Sequence, residues 1–150
     1  MQLFWLNNFM SLTNQPPVNN FCKSLNLEEY SRGMGAIGLP GDVSSSSRFV
    51  RAAFNKMNSV YHNSETKRIS QFFHLLYSVY QTRGAVQLKT GAYEYTVYSS
   101  CCNTKKGIYY YKTYDNSQIT GVSMEKEDLD GTAVIFYPLM EEQKILMQNG

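Results

Sequence analysis

The side chains best suited to covalent or proton-transfer chemistry are three cysteines, Cys22, Cys101 and Cys102, and two histidines, His62 and His74. A thiol becomes a nucleophile only where a base, a cation or a helix N-terminus makes it a thiolate. Cys101 and Cys102 are adjacent, and adjacent side chains on a strand point to opposite faces, so they do not easily share one catalytic or metal site. They read as buried structural thiols. Cys22 stands in a loop-like stretch with nothing in its spacing to activate it, and His74 falls on the polar flank of a helical pattern, as a surface or boundary histidine does. No CxxC pair and no Cys and His pair is present, so neither a metal nor a cofactor is implied.

Two further patterns invite a ligand. Gly33, Gly35, Gly38 and Gly41 precede a helical pattern, as in a phosphate cradle, but GxxxxGK is absent and Pro40 removes a backbone donor that such a cradle needs. Tyrosines crowd between Tyr93 and Tyr114, yet without a basic groove such rings serve a sheet core rather than stack bases or sugars.

These residues need elements to hold them. Residues 1–33, rich in Asn and carrying Pro16 and Pro17, read as irregular chain. The spacing of Phe49, Val50, Ala53, Phe54, Met57 and Val60 predicts a helix capped by Asp42 or Ser44 to Ser46 and closed by His62 and Asn63. A second helix, capped by Ser64 or Thr66, carries Ile69, Phe72, Phe73, Leu76, Val79 and Tyr80 on one face and stops at Gly84. Both are one-sided and need a covering layer. Three strands follow, 93–102, 108–114 and 118–124, as an antiparallel meander, then a polar loop or helical turn over 125–130 and a fourth strand over 132–137 before Pro138. The fold class is α+β.

With 43% hydrophobic and 17% charged residues, the chain is globular in composition. A net charge of +2 is too small to imply nucleic acid or an anionic membrane as partner, and no apolar run approaches membrane length. Residues 1–10 lack a basic leader region, and three unpaired cysteines fit a reducing compartment, so a cytoplasmic location is expected. Some thirty residues of irregular chain are a poor start for a domain, which suggests that preceding sequence is missing.

The run Gly38, Leu39, Pro40, Gly41, Asp42, Val43, Ser44, Ser45, Ser46, Ser47, Arg48, Phe49, Val50, Arg51, Ala52, Ala53, Phe54 closely resembles the signature of the choloylglycine hydrolase family. The stretch Tyr30 to Gly35 and the runs 98–103, 107–111 and 116–121 resemble its bile salt hydrolase branch, in the expected order and spacing. The Gly-Leu-Pro-Gly-Asp block is shared with penicillin V acylases.

This resemblance implies the C-terminal half of an N-terminal nucleophile hydrolase with a four-layer αββα fold, residues 1–150 being one part of a single domain. Such enzymes hydrolyse the amide joining a bile acid to glycine or taurine. An amino-terminal cysteine thiolate attacks, its own α-amine acts as base, and water cleaves the acyl-enzyme. Cys22 lies where the family has a loop, so the nucleophile is expected in the missing half, and these residues alone are expected to be inactive. Asn14, in the triplet Leu12, Thr13, Asn14, mimics an active-site triplet of the family but stands too close to Arg48 in sequence and reads as a lookalike. Arg48 matches the family's catalytic arginine, where a guanidinium would favour the thiolate and steady the oxyanion. Its bland alternative is a solvated arginine in a first helical turn, where a cation opposes the helix dipole. Arg51, one turn later, reads as structural. A conjugated bile acid substrate, the missing half and further copies of the chain are the implied partners. The alternatives are a penicillin V acylase-type amidase fragment and a non-catalytic structural or binding remnant.

Overall fold

A computed structural model describes residues 2–149; Met1 and Gly150 lie outside the described residues. The chain divides into two compact units, Met1–Val60 and Tyr61–Gly150.

The first unit begins with a short helix, α1 (Gln2–Trp5), and a 3-10 turn (Leu6–Phe9), where irregular chain is expected from the Asn content. Local apolar residues suffice for one turn before Asn and Pro take over. Beyond it the chain is irregular. Asn19 organises that stretch: its Nδ2 donates to the carbonyls of Cys22 at 3.0 Å and Leu25 at 2.8 Å, while its Oδ1 accepts from the amides of Phe21 and Cys22 at 3.2 Å. A second 3-10 turn, Met34–Ala36, brings buried Gly35 against the irregular chain at Thr13, whose amide donates to the Gly35 carbonyl at 2.9 Å. Helix α2 (Ser45–Met57) follows, with Ser44 as its extended N-cap residue and Val50 fully buried. It ends sooner than the apolar spacing suggests. Asn58 Nδ2 and Ser59 Oγ fold back onto the carbonyls of Phe54 and Asn55 at 2.8 and 2.5 Å, and these local bonds terminate the helix before His62.

The second unit begins with α3 (Glu65–Tyr77), for which Ser64 is the cap residue and Glu65 supplies a first-turn carboxylate. Here too a hydroxyl ends the helix early. Ser78 Oγ donates to the Leu75 carbonyl at 2.7 Å, and Gly84, with φ of 99°, forms a turn further on instead of the helix stop. Two strands, β1 (Val86–Gln87) and β2 (Tyr93–Glu94), make a small antiparallel hairpin that the sequence reading does not include. The expected strand 93–102 is therefore broken in two. Between its parts, the Thr96 amide donates to the Gln81 carbonyl at 3.0 Å and the Gln81 amide donates to Thr96 Oγ1 at 3.0 Å, which turns the chain out of the ladder.

The main sheet is the meander β3 (Tyr98–Asn103), β4 (Ile108–Thr113) and β5 (Thr120–Ser123), antiparallel throughout, with Cys101 opposite Tyr110 and Tyr110 opposite Gly121. Helix α3 packs on β3, and its Phe73 is fully buried, with Lys112 of β4 over the ring at 5.2 Å. The polar segment after β5 becomes a 3-10 turn, Met124–Lys126. The fourth strand expected over 132–137 does not form among the described residues. A strand requires a ladder, and here side chains of the β4–β5 region capture the later backbone instead: Asn116 Nδ2 donates to the Met140 carbonyl at 3.0 Å, and the Met140 amide donates to the Tyr111 hydroxyl at 3.2 Å.

Candidate active-site residues

Arg48 stands in the first turn of α2, its amide donating to the Ser44 carbonyl at 3.0 Å. The side chain is half-buried, with Nε out of reach of solvent. The serines before it form a relay. Ser44 Oγ accepts from the Ser47 amide at 3.4 Å and donates to Ser47 Oγ at 3.1 Å, and Ser47 Oγ donates to Asp42 Oδ2 at 2.5 Å. Asp42 Oδ1 accepts from the Ser44 amide at 2.9 Å. Hydrogen bonds from Ser44 and Ser47 hold the Asp42 carboxyl at a pKa of about 2, against an ordinary 3.8, so it is ionised at any pH at which the protein would act. Arg51 ties the glycine loop to the helix, with one guanidinium nitrogen donating to the Pro40 carbonyl at 2.8 Å and the Asp42 carbonyl at 2.6 Å.

Asn14 is an exposed surface residue whose Oδ1 accepts from Gln15 Nε2 at 3.1 Å. Cys22 is half-buried, not fully buried. Its sulfur lies 3.0 Å from Ser24 Oγ, and hydrogen bonding from Ser24 lowers the thiol pKa from its ordinary value, with no imidazole or cation among the causes.

In the second unit, α3 and the β3–β4 hairpin flank an open cleft of about 530 Å³ lined by Glu65, Arg68, Phe72, Cys101, Cys102 and Tyr110 among others. Lys106 Nζ and Asn103 Nδ2 each donate to a Glu65 oxygen at 2.5 Å, a contact between residues about forty apart in sequence that no local pattern announces. Cys102 is exposed and Cys101 half-buried, which corrects the expectation of buried thiols. Both touch the one cleft, because it lies where β3 turns into the hairpin. Burial, and then the neighbouring Cys102, raise the Cys101 thiol pKa, the reverse of nucleophile activation. His62 Nδ1 accepts from the Ser64 amide at 3.1 Å and so serves the start of α3. His74 meets Tyr77 edge-on, with ring centroids 6.2 Å apart.

The tyrosine stripe divides by role. Arg83 lies over the rings of Tyr95 and Tyr114, 4.4 and 4.9 Å from their centroids, while Tyr80 stacks on Tyr114. Tyr98, Tyr109, Tyr111 and Tyr137 instead line an apolar cleft of about 330 Å³ with Val122 and Leu139. Among the described residues no group of three or more His, Cys, Asp or Glu is placed to hold a metal ion, and no helix is long and apolar enough to cross a membrane.

The glycine loop, the serines and Arg48 lie within a stretch that also matches a known family. The model for linear amide C-N hydrolases of the choloylglycine hydrolase family matches residues 1–137, and the chain belongs to that family. It is 55% identical over 148 residues to a bile salt hydrolase/transferase of Lactiplantibacillus plantarum, covering 99% of this chain and 46% of the relative. A bile salt hydrolase/transferase of Clostridium perfringens is 39% identical over 111 residues, covering 74% of this chain and 34% of that one. The crystal structure of a mutant conjugated bile acid hydrolase from Clostridium perfringens superposes with a TM-score of 0.86 at 32% identity, covering 99% of this chain and 45% of that one. A penicillin V acylase from Agrobacterium tumefaciens, at 20% identity and a TM-score of 0.50 over 59% of this chain and 28% of that one, shares the fold. The chain thus carries an α+β portion of the N-terminal nucleophile hydrolase fold and spans less than half the length of the relatives it matches.

Proposed function

We propose that this chain is the part of a bacterial bile salt hydrolase that supplies Arg48, and that the enzyme so completed hydrolyses the amide of glycine- or taurine-conjugated bile acids. The observation that carries the reading is the 55% identity to a bile salt hydrolase/transferase over nearly the whole chain. A family match that continues from 1 to 137, across the division at Val60, supports reading both units as parts of one domain of the family, taken as its C-terminal part. The remaining part would supply a cysteine thiolate that attacks the amide carbonyl, with its α-amine taking and returning the proton. The amine half leaves, and water releases the bile acid from the acyl-enzyme. Arg48 would hold the thiolate ionised and stabilise the oxyanion. By itself the chain is then inactive. The reading places the enzyme in the cytoplasm, as assemblies of several copies; the three free cysteines support the location.

The test is a chimera in which these 150 residues replace the matched portion of the Lactiplantibacillus plantarum relative. The chimera should release glycine or taurine from conjugated bile acids, and Arg48→Ala should lower kcat on the order of a hundredfold. A full rate in the Ala variant would reduce Arg48 to a helix-surface residue, and preference for penicillin V would move the substrate assignment.

A further inference from the structure

The bond network around α2 constrains its first turn from two sides at once. Asp42 holds it from in front, accepting from the Ser44 amide at 2.9 Å and from Ser47 Oγ at 2.5 Å. Arg51 holds it from behind. It is anchored one turn down the helix and reaches back across the turn that bears Arg48 to the carbonyls of Pro40 and Asp42, at 2.8 and 2.6 Å. The two clasps meet at Asp42, whose carboxylate faces the helix start while its carbonyl faces Arg51. The loop they secure also has a backbone bond from the Leu39 amide to the Ala36 carbonyl at 3.0 Å, but its glycines add no packing: Gly38 has φ of 97°, and an added Cβ at either Gly38 or Gly41 would meet nothing within 4 Å. A serine-rich turn behind two such glycines would fray if left to propensity, because glycine carries the largest backbone entropy and serine competes for backbone groups.

We propose that Asp42 and Arg51 are positioning residues for Arg48: together they fix the glycine loop and the first turn of α2 as one rigid piece, so that the Arg48 guanidinium is preorganised before substrate arrives. This rests on the assignment of Arg48 to the reaction. Electrostatic stabilisation of an oxyanion depends on donors that need no reorganisation during the step, and displacing such a group by about 1 Å costs on the order of a hundredfold. The bonds from Arg51 to the Pro40 and Asp42 carbonyls and from the serines to Asp42 all lie within the loop and the helix start, so a change in either residue should act on kcat and leave KM alone. Lysine at position 51 keeps a donor for the two carbonyls but loses the planar fork, and should restore part of the effect.

Two measurements test this. In the chimera, Arg51→Met and Asp42→Asn should lower kcat ten- to a hundredfold with KM within about twofold and the melting temperature nearly unchanged, and Arg51→Lys should recover much of the loss. In the same chimera, amide hydrogen exchange at Ser47 and Arg48 should quicken in both variants. Full kcat in Arg51→Met and Asp42→Asn, while Arg48→Ala is inactive, overturns the inference and leaves the assignment of Arg48 standing. A raised KM, or a loss that follows the unfolded fraction and is not rescued by lysine, also overturns it. Should Arg48→Ala prove fully active, that assignment fails, and unchanged exchange at Ser47 and Arg48 would then separately dismiss the clasp.

Discussion

Isolating this chain from the rest of the family domain should leave it partly molten and self-associating. The surface shows why. The chain exposes 12209 Å², whereas a folded monomer of 17.2 kDa exposes about 7,800 Å². Treating the units as two separate bodies, split at Val60, raises the expectation only to about 9,300 Å². Much of the surplus is apolar. Phe21 is 86% exposed, Val60 88%, Phe136 83% and Leu146 90%, while only Val50, Phe73 and Tyr111 are buried among the described hydrophobic residues. Ten large apolar side chains left uncovered forfeit roughly 1.5 to 3 kcal/mol each, which exceeds the whole stability of an ordinary domain, about 5 to 15 kcal/mol. The open edges of β3 and β5 would then recruit other copies. The purified chain should bind a hydrophobic dye, elute as a range of oligomers and melt broadly. A monodisperse monomer with a sharp cooperative transition and no dye binding would refute the reasoning and favour a self-sufficient binding domain.

Three further outcomes follow from single contacts and are best read in the chimera, where the covering layers are present. Phe73→Ala removes a fully buried ring of α3 and should cost about 3 to 5 kcal/mol in urea unfolding; a loss under about 1 kcal/mol would mean that the ring is not a core residue. Gly35→Ala sets a Cβ 2.1 Å from the Gln15 carbonyl oxygen and 2.8 Å from that of Thr13, both backbone atoms that cannot swing aside, so it should destabilise by at least the upper end of about 1 to 3 kcal/mol, and an unchanged midpoint would contradict the packing. The Glu65 carboxyl is held below its ordinary 4.5, first by the hydrogen bond from Lys106, so its stabilisation is complete above 4.5 and disappears as pH falls through its lowered folded value. The melting-temperature gap between wild type and Glu65→Gln should therefore be widest near neutrality and close in acid; a gap independent of pH would deny the contact.

The α+β class, the positions of α2 and α3 and the meander of β3 to β5 were legible in the sequence, because each is written in a local repeat: three-to-four spacing behind a serine cap, or β-prone runs between turns. The family was likewise legible in the run Gly38 to Phe54, since a loop that needs open glycines, a proline, an aspartate and serines at fixed offsets is specified by neighbours in sequence. Element ends were not legible. Asn58, Ser59 and Ser78 stop their helices by bonds to carbonyls three or four residues back, in competition with an apolar pattern that runs on. Only tertiary structure decided that Thr96 breaks a strand by meeting Gln81, that Glu65 of α3 finds Lys106 in the hairpin turn, and that the chain at Met140 is held by Asn116 and Tyr111 with no fourth strand before it among the described residues. Sequence fixes what each residue can offer within a turn or two of itself, but a donor or acceptor commits to whichever partner the folded chain brings within about 3 Å, and that choice is made between residues far apart along the chain.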